Sequence, residues 1–203
     1  MQSLEASPIG WTIQCVDGRS FSAKTVANAA GAWADSLARL ADAKPLGIQP
    51  LRRTVVQLRT EPPPPADQPL CLDISGDFYF KPEGGGRLWL SPHDETPTDP
   101  CDAAPEELDV ALAIDRFQNV TEWNVEGVER KWAGLRSFAP DRKPVYGFDP
   151  KVENFFWFAG QGGYGIQTAP AAARLGAQLL LGQDRDALTK DLDASLYSPD
   201  RFS

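Results

Sequence analysis

Histidine occurs once in this chain of 203 residues and cysteine three times. His93 sits among acids in the loop-like stretch Ser-Pro-His-Asp-Glu-Thr-Pro, where a lone imidazole is expected to be solvated. Cys15, Cys71 and Cys101 have neither metal-ligand nor redox spacing. One imidazole and scattered thiols make no transition-metal site. An odd cysteine count speaks against a disulfide framework and fits a reducing, cytoplasmic setting. The first ten residues have no basic leader pattern, and no window has the apolar length of a membrane span. Basic stripes are missing too: the net charge is -8 and the pI about 4.7. Nucleic acid and anionic membranes are therefore poor partners. No G-x-S-x-G is present to support serine hydrolysis, and no internal repeat is visible.

What is present can build a core. Hydrophobic residues make up 42% of the chain, with six Trp and ten Phe, enough for one sizeable domain or two small ones. Trp11, Ile13 and Cys15 alternate with polar residues and run into Asp17-Gly18, which predicts a hairpin returning through 21–23. Short strands are expected over 25–28 and 52–59. Between them lie the small-residue turn Ala29-Ala30-Gly31 and a helix on which Trp33, Leu37 and Leu40 recur at helical spacing. Four prolines, 62–65, mark a surface loop. Strands over 71–75, 78–81 and 87–91, punctuated by glycine turns, predict an antiparallel sheet. Pro105, Glu106 and Glu107 open a helix with the apolar stripe Val110, Ile114 and Phe117. A further strand is expected over 128–135. The stretch 155–159 is apolar throughout and reads as a strand buried on both faces. A helix over 170–181 is stopped by Gly182, and the tail to Ser203 reads as irregular.

Gly160, Gly162 and Gly165 spell G-x-G-x-x-G between that last strand and helix. The bare spelling is weak, because glycines there also make a plain tight turn. A dinucleotide-binding unit needs a second strand after the helix, with an acid at its end. Asp184 and Asp186 lie near the required distance, but no strand precedes them, and the adenosine-binding reading is rejected. What remains is an anion or polar ring edge held by the N–H groups of 162–166 at the positive end of the helix. Thr168 is expected to cap this helix through its hydroxyl or to touch the ligand.

Two stretches, 26–41 (VANAAGAWADSLARLA) and 132–171 (beginning WAGLRSFAPDRKPVYGF and containing FFWFAGQGGYGIQT), resemble the D-amino acid oxidase-like FAD-dependent oxidoreductases. Together with FYFKPEGGGRLWLSPHDETP in the middle, they look closest to the D-arginine and D-amino acid dehydrogenases of that family. The resemblance runs from Trp11 onward. It implies an α+β chain in which an incomplete α/β FAD-binding part, 1–44 with 132–203, is interleaved with an antiparallel-sheet substrate domain, 45–131. Chains of this family begin with a strand, a pyrophosphate-binding glycine turn and a helix. Here Trp11 already matches a late strand, so the chain is expected to be the C-terminal portion of such an enzyme, whether as a fragment, a split gene or a truncated product, and to need the N-terminal portion for activity.

The resemblance also implies residue roles. Arg136, in Gly-Leu-Arg-Ser-Phe, matches the arginine that grips the substrate carboxylate, a task suited to a planar guanidinium; its bland alternative is a surface ion pair. Tyr79 matches a tyrosine on the same carboxylate, or is a half-buried strand aromatic. Arg53 matches a second substrate arginine, and Arg52 faces the opposite side of a regular strand. Gln167 matches a position lining substrate and flavin, as does Gly163. Ala29, Gly31 and Trp33 match the turn beside the cofactor, with Trp33 also readable as the first core anchor of its helix. Gly162, Gly163, Tyr164, Gly165 and Ile166 are the expected flavin contacts. FAD should be non-covalent, since no cysteine lies near Arg136, and the isolated chain is open to lacking it. The implied reaction is oxidation of an amine or amino acid by hydride transfer, faster at higher pH because the amine must lose a proton. The rival from another class is a non-catalytic fragment or subunit, dimeric or paired with an N-terminal chain. Glu83, Asp94 and Glu95 hint at a cationic substrate side chain, or are solvated loop acids.

Overall fold

Residues 1–203 are all described in the computed structural model. The strands in chain order are β1 (Ser3–Ser7), β2 (Gly10–Gln14), β3 (Ser20–Ala23), β4 (Val26–Asn28), β5 (Gln49–Glu61), β6 (Cys71–Leu72), β7 (Tyr79–Glu83), β8 (Arg87–Ser91), β9 (Thr96–Pro97), β10 (Asn124–Phe138), β11 (Val145–Phe148) and β12 (Phe155–Ala159). The α-helices are α1 (Ala34–Leu40), α2 (Glu107–Val120) and α3 (Gly165–Leu181). This α+β chain divides into two units, Met1–Gln49 with Arg136–Ser203, and Pro50–Leu135. No helix is long and apolar enough to cross a membrane.

In the first unit β1, β2 and β3 form an antiparallel meander, with Leu4 and Trp11 in the core. Strand β1 carries no strong signal: its burial is confined to Leu4, and pairing with β2 carries the rest. A second sheet has the order β11-β12-β4, with β4 parallel to β12 and β11 antiparallel to it. Alternation sends Phe155 and Trp157 into one apolar cluster, while Phe158 packs into another with Leu175 of α3. The apolar run is thus covered on both faces.

Helix α1 turns a different face inward from the one its bulky residues predict. Ala34 and Ala38 are 0% exposed, whereas Trp33 is 49% and Leu40 44% exposed. Trp33 is therefore not a core anchor. The reason lies one turn earlier. Asn28 is fully buried, its Nδ2 donates to the Ala34 carbonyl at 2.9 Å, and its Oδ1 accepts from Ala30 N–H at 3.3 Å. That clasp brings the helix backbone close to β4, and only small side chains fit in between. Asp35, beside this face, accepts from the N–H groups of Leu46, Gly47 and Ile48 at 3.1, 2.9 and 3.0 Å. One carboxylate thereby shapes the loop beyond the helix.

Helix α3 begins at Gly165, five residues before Pro170. Proline inside it is tolerated because the carbonyl it leaves without a donor belongs to Ile166, in the solvent-exposed first turn. Gly182, at φ +62°, ends the helix with the expected left-handed residue. Gly176 lies against Phe158, whose ring would be 2.5 Å from any added Cβ. The tail is not irregular. Its two 3-10 turns, Ala194–Tyr197 and Pro199–Phe202, are started by the side chains of Asp193 and Ser198. Arg201 ties the tail down through the Asp141 carboxylate and the carbonyls of Lys143 and Pro144.

The second unit is a sheet of order β10-β5-β8-β7-β6, with β9 beside β5. Helix α2 covers one face, where Val110, Ala113 and Phe117 meet Val56, Leu58, Phe80, Leu88 and Leu90. Registers of Gln57 opposite Trp89, and of Lys81 opposite Trp89, then place Gln57, Tyr79, Lys81, Glu83, Arg87 and Trp89 together on the other face. Arg52 lies on the α2 side, donating to Glu106 at 2.8 Å and Asp109 at 2.7 Å.

Candidate functional site

In the first unit the end of β10 and the glycine loop are joined directly. Gly162 N–H donates to the Ser137 carbonyl at 2.8 Å. Gly162 has φ +58°, and a Cβ there would sit 2.5 Å from Cε1 of Phe138. A side chain is excluded twice at that position, by the backbone and by the ring. The next residue, Gly163, faces Arg136: a Cβ at 163 would lie 3.0 Å from Nη1 and 3.6 Å from Cζ. Arg136 is half-buried, and no hydrogen bond or ion pair engages its guanidinium. The surface ion pair that was its bland alternative does not form.

The N–H groups of Gly165, Ile166 and Gln167 occupy the first turn of α3 and have no carbonyl ahead of them in the helix. Tyr164 stands at the N-cap without a side-chain cap bond. Two expectations are corrected here. The Gly162 and Tyr164 N–H groups are not among the outward donors, because the Ser137 and Gln161 carbonyls take them. Thr168 does not cap the helix; the earlier start puts it inside, and its hydroxyl donates back to the Tyr164 carbonyl at 2.8 Å.

Free first-turn donors at the positive end of a 17-residue helix, beside an unpaired guanidinium, suit an anionic or polar ring edge such as that of a flavin. Gly163 leaves the approach clear of any side chain. Ala29, Gly31 and Trp33 are all exposed, and Gly31, at φ +56°, has open space where a Cβ would be. Gln167 lies elsewhere in this unit, in an apolar groove of about 280 Å³ with Tyr164, Tyr146, Ala171 and Tyr197. Arg136 is not part of that groove.

Gln161 and Asn28 are residues that motif reading missed. Tyr146 donates to Gln161 Oε1 at 2.8 Å. Burial pushes the Tyr146 phenol up to about 12, against the pull of its bond to Gln161. Each missed residue stands directly beside a glycine or small-residue turn, which was the available signal.

In the second unit Tyr79 is half-buried on the sheet face away from α2. It sets its ring edge-on to His93 at 5.5 Å, and its hydroxyl has no hydrogen-bond partner. His93 is not solvated: its Nδ1 lies 2.5 Å from the Gly76 carbonyl. Arg53 is 3% exposed, donating to the Asp94 carbonyl at 2.7 Å and to Glu95 at 3.1 Å. Asp94 accepts from Thr54 N–H and hydroxyl at 2.7 and 2.9 Å, and Glu83 accepts from Gln57. All three acids are thus engaged within the fold, Glu95 while remaining exposed.

Comparison with solved structures shows a shared fold. The chain superposes on glycine oxidase from Geobacillus kaustophilus with a TM-score of 0.77 at 23% identity, over 97% of this chain and 50% of that one. The family model DAO, FAD dependent oxidoreductase, matches residues 2–179, and the chain belongs to that family. Among curated relatives, FAD-dependent oxidoreductase domain-containing protein 1 of Xenopus laevis is 29% identical over 92% of this chain and 40% of its own length. A D-amino acid dehydrogenase of Neisseria gonorrhoeae is 36% identical over 32% of this chain and 16% of its own length. The chain thus spans half or less of the length of these relatives.

Proposed function

We propose that this chain is the portion of an FAD-dependent oxidoreductase that presents an amino acid, or a related carboxylated amine, for oxidation at its α-carbon. The carrying observation is Arg136, a half-buried guanidinium with no acid partner, set against Gly163 in the glycine loop. Such a group has lost part of its hydration and gains two parallel hydrogen bonds from a carboxylate. Bound FAD supplies the two-electron acceptor for converting amine to imine. The free N–H groups of Gly165, Ile166 and Gln167 favour negative charge on its ring edge, and Ala29, Gly31 and Trp33 are assigned to the same cofactor.

Within this reading the first unit carries the flavin contacts, and the second is the substrate domain, with Tyr79 assigned to the substrate. Arg53 acts there as a positioning residue through Asp94 and Glu95. No side chain of the site is an evident base, and the amine must arrive deprotonated, so turnover rises with pH. Because the chain spans half of its relatives' length, turnover is assigned to the assembly with the remaining portion, supplied by the same or another polypeptide. Three free cysteines suit the reducing, cytoplasmic compartment we assign.

The test is ligand binding by the purified chain and its Arg136→Ala variant. Loss of a charge-assisted pair predicts about 10- to 100-fold weaker amino-acid binding, with FAD uptake, followed by flavin fluorescence, unchanged. Equal amino-acid affinity in the two proteins would remove Arg136 from the substrate and sink the reading.

A further inference from the structure

The face of the second unit's sheet away from α2 carries an ammonium with no acid partner. Tyr79, Lys81 and Glu83 alternate onto this face from β7, opposite Ser91, Trp89 and Arg87 of β8. Arg59 and Arg87 share one carboxylate, Glu129. Glu83 accepts from Gln57. Lys81 has no acid partner, and its ammonium lies over the Trp89 ring, 4.6 Å from the centroid. Trp89 is braced edge-on by Trp132 at 5.5 Å, and its indole N–H is buried without an acceptor.

We propose that Lys81 and Trp89 read the far end of the substrate, and that this end is anionic. The inference rests on the assignment of Tyr79 to the substrate made above. Residues two apart on one strand face are separated by about 7 Å. An amino acid touching the Tyr79 hydroxyl, with its side chain laid along the strand in this direction, comes to Lys81. The first charge it meets is positive. The acids that hinted at a cationic substrate are already engaged, Asp94 and Glu95 by Thr54 and Arg53 and Glu83 by Gln57. A second carboxylate reaching this face finds a partly desolvated ammonium held by an aromatic ring. A guanidinium or ammonium side chain meets like charge instead.

Titration of the purified chain with D-alanine, D-aspartate and D-arginine, followed by tryptophan fluorescence from this face, tests the proposal. D-aspartate is expected to bind at least tenfold more tightly than D-alanine, about 1.4 kcal/mol, and D-arginine less tightly than either. Lys81→Met keeps the aliphatic stem over Trp89, so the sheet should fold, and it should erase the aspartate margin. Glu83→Gln should leave that margin in place. Equal binding of D-alanine and D-aspartate, or a margin that survives Lys81→Met, overturns this inference while leaving the amine reading intact. Failure of all three amino acids to bind saturably overturns both.

Discussion

Gly163 and Arg136 make the most sensitive contact in the first unit, because one added methyl group acts on a charge. Gly163→Ala puts a Cβ 3.0 Å from Nη1, the flexible end of Arg136. The fold should barely notice, with the melting temperature within about 2 °C of the parent, since a surface change of this kind costs under about 0.5 kcal/mol. Amino-acid affinity should nevertheless fall by about tenfold as the guanidinium is displaced. Calorimetry and ligand titration on one sample separate the two effects. Tyr146 offers a different readout. Its ordinary value of 10.0 is raised to about 12 by burial, so the folded state holds the phenolic proton more tightly than the unfolded chain. The stability this confers is complete below pH 10 and is lost as the pH climbs towards 12. Tyr146 should resist ionisation in an ultraviolet titration until the protein unfolds, and its ionisation near pH 10 in the folded protein would contradict this. The motif around Arg136 was readable in the sequence. Its lack of an ion pair was not, because that depends on which acids the fold has already engaged.

Elements were legible where their signal is local and hidden where partners set it. Strand β12 announces itself by composition, α2 by its proline and acids, and the β7–β8 hairpin by its glycines. Helix α1 misleads, since Trp33 and Leu40 suggest a buried face while Asn28 selects the alanine face through a hydrogen bond. Strand β1 and the 3-10 turns of the tail owe their existence to pairing and capping that no window of sequence displays. The loop after α1 shows how much one acid can set. Asp35→Ala leaves three N–H groups without their acceptor, and should cost about 2 kcal/mol, measured by denaturant unfolding. A loss below about 0.5 kcal/mol would show that water replaces the carboxylate. Asp35→Asn, which retains one acceptor oxygen, should recover part of the stability.

At the scale of the molecule, residues 2–179 match a family whose members are about twice as long. Exposure of Trp33, Tyr164 and Ile166 follows the same outline, for these apolar groups crowd the turn and helix start assigned to the flavin. The purified chain should therefore take up FAD weakly, with flavin fluorescence quenched on titration, and bind it at least tenfold more tightly once the rest of the fold is supplied. An unchanged affinity would mean that this half alone builds the cofactor contacts. Gly176 adds a constraint on how the site can evolve or be engineered. It sits eleven positions along α3 from Gly165, about 16 Å from the loop, and its lack of a Cβ lets the helix seat closely on Phe158. Any larger residue there would act as a wedge under a lever, lifting the far tip and misaiming its amide donors without touching a ligand.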